Sequence, residues 1–226
     1  MSSTFWREWH RGYDDPDSSL SRRLTVVQDQ LRMALRVVEQ PSDRRLRLIS
    51  VCAGDGRDVL GVLAEEPVPV DVLLVELDPE LSRAAADRAA ANGVDAVTVR
   101  TADAGLTTSY ADHLPADVCL LCGVLGNIGA DDLVALIEDL PMLLMSGAPV
   151  IWTRGHQPDS DDRPAGDDPS ERVRAAFVAA GYQELAFVRP QQESFRVGTH
   201  RWTGPVMPYQ PDRRLFEFVR HDAVGR

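Results

Sequence analysis

The sequence predicts an α/β fold: a doubly wound, mostly parallel sheet of seven strands with an antiparallel C-terminal strand, helices on both faces and an N-terminal helical lid. Three observations carry this reading. Short β-rich apolar runs alternate regularly with helix-period runs between residues 46 and 188, the pattern of a parallel sheet wrapped by helices. An amphipathic helix stands alone ahead of that alternation. After the sixth strand run the chain never returns to it. With 226 residues the chain is expected to be one domain, residues 1–226, divided into a lid (1–40) and a core (46–226).

The elements follow in order. Leu20, Leu24, Val27, Leu31, Leu35 and Val38 recur at steps of three and four, so residues 20–38 read as an amphipathic helix capped by Asp17, Ser18 or Ser19. The strand runs are LRLISV (46–51), VDVLLVE (70–76), DAVTVR (95–100), DVCLLC (117–122), PVIWTR (149–154) and QELAFV (183–188). Helical patterns lie between them at 57–64, 79–92, 130–144 and 169–180, with a weaker one at 107–113. In the second unit, Pro79 suits a first helical turn and Asn92-Gly93 a helix stop. SFRVGTHRWTG and RRLFEFVR read as a closing antiparallel addition to the sheet edge, and the Asp-, Pro- and Gly-rich stretch 155–169 as a surface loop.

Composition narrows function. Hydrophobic residues make up 44% of the chain and charged residues 26%, enough apolar material for a sizeable core. Every one of the 24 basic residues is Arg, so a Walker P-loop and all lysine chemistry are excluded. A net charge of -11 argues against a binder of nucleic-acid phosphates. Residues 50–171 hold six Arg against 23 acids, whereas the ends are slightly basic, a distribution that favours a cationic ligand over an anionic one. No run of about 18 apolar residues exists and the N-terminus lacks a signal-peptide core, so a cytoplasmic protein without membrane contact is expected. Cys119 and Cys122 spell CxxC within a strand, where an offset of three sends the thiols to opposite faces, so buried thiols are expected and no metal site.

The chemistry gathers at strand ends. The first strand runs into Cys52-Ala-Gly-Asp-Gly-Arg-Asp58 and then a helix, and glycines there let backbone amides approach a ligand. Glu76 ends the second strand, where an acid takes both hydroxyls of a ribose, and Asp103 follows the third, where a carboxylate accepts from an adenine amino group. Each residue alone is an ordinary loop residue; together they converge on one crevice.

With these motifs the sequence resembles the class I, Rossmann-like S-adenosylmethionine-dependent methyltransferases over about residues 46–189. SVCAGDG stands at the first motif, VELDPEL at the second, TADAG at the third and DVCLLCGVLGNI at the fourth. The resemblance implies S-adenosylmethionine as cofactor, held by Cys52, Ala53, Gly54 and Gly56, by Glu76 and Leu77, by Asp103 and Ala104, and by Cys122 and Gly123. Two positions depart from the pattern. Ser50 stands where the family has an acid, and Cys52 replaces the first glycine, which is expected to alter backbone contacts slightly and leave the pocket intact. A dehydrogenase fingerprint would want Gly or Ala at position 59, which is Val59.

The fourth motif has no Asn-Pro-Pro-Tyr-like tetrapeptide, and no spacing of acids suggests a magnesium site. A small-molecule acceptor is therefore expected, with a protein side chain as the lesser alternative and without nucleic acid, by in-line displacement that mainly positions the acceptor and removes its proton when it is a hydroxyl. Candidates for that work are His156 after the fifth strand, His10 in the aromatic segment FWREWHRGY, and Arg154 and Asn127 at strand ends; His113, His200 and His221 are less well placed. A nicotinamide-linked oxidoreductase and a non-catalytic nucleoside-binding or regulatory module remain as alternatives.

Overall fold

A computed structural model describes residues 10–155 and 168–219. Seven strands form one sheet: β1 (Leu46–Val51), β2 (Val70–Glu76), β3 (Val97–Thr101), β4 (Val118–Leu121), β5 (Pro149–Gly155), β6 (Tyr182–Val188) and β7 (Phe195–Trp202). Their order is β3-β2-β1-β4-β5-β7-β6, with β7 antiparallel to both of its neighbours and the pairs from β3 to β5 parallel. The helices are α1 (Ser19–Val37), α2 (Arg57–Glu65), α3 (Pro79–Ala91), α4 (Ala130–Asp139) and α5 (Pro169–Ala179).

Local chemistry starts these helices where the sequence suggests. The Ser18 hydroxyl accepts from the Ser21 amide at the head of α1, and the Asp78 carboxylate accepts from the amides of Glu80 and Leu81 at the head of α3. Pro79 and Pro169 occupy the first turns of α3 and α5, where the missing N–H is not needed. The helix expected over 130–144 stops at Asp139: Pro141 has no amide to donate, and the chain tightens into a 3-10 turn over Leu140–Met142. The weaker helical pattern is likewise a 3-10 segment, Thr107–His113.

Strand alternation sorts the core into two layers. Ile49, Val51, Leu73, Val75, Cys119, Leu121, Val150 and Trp152 pack with Leu136 and Ile137 of α4 and Val173 and Phe177 of α5. Leu46, Leu48, Val72, Leu74, Val118, Leu120 and Ile151 pack with α2, with Ala85 and Ala89 of α3, and with Val27, Leu31, Ala34 and Leu35 of α1. Cys119 belongs to the first layer and Cys122 packs against the second, so the CxxC thiols do face opposite ways, and all three cysteines are free.

Two expectations about the C-terminal part are corrected. The antiparallel strand is not an edge addition: β7 lies between β5 and β6, paired to β5 through seven residues. The insertion is locked by an aromatic contact. Trp152 of β5 lies across Gly198 of β7, where a Cβ would come within 2.2 Å of the indole, and its Nε1 donates to Nδ1 of the fully buried His200 at 3.0 Å. RRLFEFVR is not a strand either. Its described residues make single antiparallel bridges, Arg214 to Leu106 and Phe218 to Ile128, because its amides donate to loop oxygens rather than to a neighbouring strand. No helix among the described residues is long and apolar enough to cross a membrane.

Candidate functional site

In a doubly wound sheet the crevice opens where neighbouring strands send their connections to opposite sides, here between β1 and β4. A cavity of about 520 Å³ lies there, at the carboxyl ends of β1 to β4, within the range of small-molecule sites.

The turn after β1 forms its floor. Cys52 takes φ +55°, Gly54 +58° and Gly56 +68°. The backbone therefore keeps a left-handed turn at Cys52 even though a side chain there costs about 1–2 kcal/mol relative to glycine. Ala53 N–H donates to Val75 O at 2.9 Å and Gly54 N–H to Glu76 Oε2 at 2.8 Å, which ties the turn to the end of β2. Glu76 Oε1 accepts from the Asp78 amide at 2.9 Å. Burial pushes the Glu76 carboxyl up from its ordinary value, against the pull of these backbone donors. At the end of β3, Asp103 Oδ1 accepts from Gly105 N–H at 2.8 Å and Oδ2 from Arg214 Nη1 at 2.5 Å.

The opposite wall comes from the N-terminal segment. A 3-10 turn over Arg11–Asp14 precedes α1 and brings His10 and Tyr13 to the cavity. A Cβ on Gly54 would meet His10 Cε1 at 2.3 Å, so the imidazole sits directly on the turn. Burial lowers the His10 pKa, partly opposed by Asp55, whose carboxylate is 3.9 Å from Nδ1. Burial disfavours the Asp55 anion, yet hydrogen bonds from Arg57 and the charge of Arg88 hold its pKa below the usual range. The Arg57 guanidinium also lies 4.6 Å from the centre of the Tyr13 ring.

Asp58 differs. It is buried on the first turn of α2, lines the cavity, accepts from the Val59 amide at 2.9 Å, and has no salt-bridge partner among the described residues. Burial pushes its pKa up to about 6.

Of the residues expected at a cofactor, Cys52, Ala53, Glu76, Leu77, Asp103, Ala104, Cys122 and Gly123 line this one cavity, and Gly54 and Gly56 shape the turn beneath it. Burial raises the Cys52 and Cys122 thiols, which are therefore protonated apolar wall. The catalytic candidates divide. His10 lines the cavity. Asn127 Nδ2 donates to Gly123 O at 2.6 Å and Arg154 Nη1 to Leu125 O, so both brace the loop after β4, and neither lines the cavity. His156 and His221 lie outside the described residues. His113 contacts the Asp71 carbonyl near the start of β2, and His200 is in the core. No group of three or more metal-ligating side chains occurs among the described residues.

Sequence reasoning passed over Arg23, Asp58, Arg214, Phe216 and Phe218, which also line the cavity. Asp58 carried a signal, since it falls one turn before Val62 on the buried face of α2.

This seven-stranded order with a cavity at its switch point is an architecture that the chain shares with solved methyltransferase structures. Known proteins agree at that level. No family model matches the chain. A ribosomal protein L11 methyltransferase of Sinorhizobium fredii (strain NBRC 101917 / NGR234) is 33% identical over 109 residues, 48% of this chain and 35% of that protein. The chain thus spans about a third of the length of the curated relative it matches. Among solved structures, the N-methyltransferase NodS from Bradyrhizobium japonicum WM9 superposes with TM-score 0.59 at 14% identity, covering 85% of this chain and 99% of NodS. An O-methyltransferase family 2 protein from Planctomyces limnophilus DSM 3776, in complex with apigenin, gives 0.60 at 18% identity, over 81% and 59% of the two chains. The N-terminal domain of EvdMO1, with SAH bound, gives 0.53 at 19% identity, over 78% and 81%. At these identities the likeness is one of fold.

Proposed function

We propose that the protein is an S-adenosylmethionine-dependent methyltransferase acting on a small-molecule acceptor in the cytoplasm, without nucleic acid or membrane. The observation that carries this reading is convergence: motif residues from the ends of β1, β2, β3 and β4 line a single cavity. The residues present fit the cofactor by their donor and acceptor types. Glu76 would take the ribose hydroxyls, Asp103 and Ala104 the base, and the Cys52–Gly56 turn with Cys122 and Gly123 the amino-acid end. When bound, S-adenosylmethionine supplies an electrophilic methyl group on a sulfonium sulfur.

The chain's own residues then position the acceptor and manage its proton. His10 and Tyr13 form the acceptor-side wall, and residues 1–40 act as the lid of this site. Two features support that role: His10 lies on the Gly54 turn, and α1 packs on α2 and the sheet, so the segment before it has a fixed anchor. For a hydroxyl or ammonium acceptor, the proton acceptor on the cavity wall is Asp58, whose carboxyl burial pushes up to about 6, while burial lowers the pKa of His10.

The test is label transfer from methyl-labelled S-adenosylmethionine to a panel of small hydroxyl and amine compounds, with protein and DNA as parallel acceptors. Label is expected in the low-mass fraction and should fall with Glu76→Ala when S-adenosylmethionine is below saturation. Label confined to protein or DNA would overturn the acceptor assignment, and binding of NAD in place of S-adenosylmethionine would overturn the reaction class.

A further inference from the structure

We propose that residues 213–218, outside every strand and helix, belong to the nucleoside site: Phe216 and Phe218 wall its base end, and Arg214 positions the Asp103 carboxylate there. This rests on the cofactor reading above.

The segment is pinned to the ends of the sheet by its backbone and by the side chains of Arg213 and Leu215. Leu215 N–H donates to Gly105 O at 2.7 Å, Thr107 N–H to Arg213 O at 3.1 Å, and Arg213 N–H back to Thr107 Oγ1 at 3.0 Å. Farther along, Glu217 N–H donates to Asp132 Oδ2 at 2.9 Å and Val219 N–H to Asn127 O at 2.8 Å. The Arg213 guanidinium grips Asp139 through two bonds of 2.6 and 2.9 Å, and Leu215 is buried in the core. The approach is close enough to require glycine at position 105, where a Cβ would lie 2.5 Å from Phe216 O.

Arg213 and Leu215 thus anchor the segment, whereas Arg214, Phe216, Glu217 and Phe218 line the cavity, Phe216 while also packed in the core beside Leu215. The two rings stack with centroids 5.7 Å apart at 27°, forming an apolar surface beside Asp103 and Ala104. A flat purine is the ligand such a surface suits, because aromatic faces stack on bases of any identity and leave selection to edge contacts. The edge contact is Asp103. An ionised carboxylate has about four acceptor sites. Gly105 N–H takes one on Oδ1 and Arg214 one on Oδ2, which fixes the orientation of the group and leaves capacity for an exocyclic amine.

The experiment is calorimetric titration of the full chain and of Phe218→Ala and Arg214→Gln with S-adenosylhomocysteine and with S-inosylhomocysteine, which carries a carbonyl in place of the amino group. The wild type is expected to prefer the adenosyl compound. Phe218→Ala should weaken both ligands roughly 10-fold and preserve the preference. Arg214→Gln should shrink the preference while leaving the inosyl affinity near that of the wild type. A merely structural segment would lower the melting temperature of both variants and leave both affinities unchanged in the folded protein, which would overturn the proposal. If the wild type binds neither ligand, the cofactor reading falls and takes this inference with it; wild-type binding with unchanged variants overturns this inference alone.

Discussion

Asp58→Asn should make the protein more stable relative to wild type at pH 8 than at pH 4. The carboxyl is buried, lacks a salt-bridge partner among the described residues, and has its pKa pushed up from 3.8 to about 6 by desolvation. Between those values the folded state binds a proton that the unfolded state has released, so wild-type stability falls as pH rises through the window. One pKa unit corresponds to about 1.4 kcal/mol, which sets the full cost of the buried anion near 3 kcal/mol. Roughly 2 kcal/mol of that develops between pH 4 and 6, and little beyond pH 7. Asparagine keeps the shape and does not ionise, so the difference in unfolding free energy between variant and wild type should grow by about that amount across the window. Urea unfolding followed by tryptophan fluorescence at pH 4, 5, 6 and 8 measures it. A flat difference would refute the reasoning. An opposite slope would mean that a cation, Arg23 being the nearest candidate by its field, stabilises the anion more than burial penalises it.

Two further expectations follow from the same physics. Gly54→Ala must hold a side chain at φ +58° and expel His10 from its seat, so it should cost about 2 kcal/mol or more in thermal or urea unfolding and expose His10 to modification by diethyl pyrocarbonate; wild-type stability with a protected imidazole would contradict it. His200, whose pKa burial lowers to about 4, should stay neutral through pH 5 in an NMR titration of its ring protons, and a midpoint near 6.5 would show that the Trp152–His200 contact is open to water.

Most of the sheet was legible in the sequence because β1, β2, β4 and β5 are largely buried on both faces and read as apolar runs, while each helix keeps one apolar stripe. Strand order is set by long-range pairing, and nothing local in SFRVGTHRW distinguishes an edge strand from one inserted between β5 and β6; Gly198 beneath Trp152 is explicable only once β5 and β7 are neighbours. The RRLFEFVR segment misled because its alternation matches a strand, whereas its amides donate to loop oxygens and its side chains divide between the core and the cavity wall. The cavity's motif side was readable from Cys52 to Cys122, since each residue sits at a strand end. Arg23, Arg214, Phe216 and Phe218 reach it from distant parts of the chain and carry no spacing that reveals them.

The most direct test of the account is calorimetric titration of the wild-type chain with S-adenosylhomocysteine, alongside NAD and alongside Glu76→Ala. Charge-assisted hydrogen bonds contribute about 1.5–3 kcal/mol, so the account predicts saturable binding of one S-adenosylhomocysteine per chain, weakened roughly 10-fold or more in the variant, and no binding of NAD. Binding of NAD, or equal affinity of wild type and Glu76→Ala for S-adenosylhomocysteine, would contradict it.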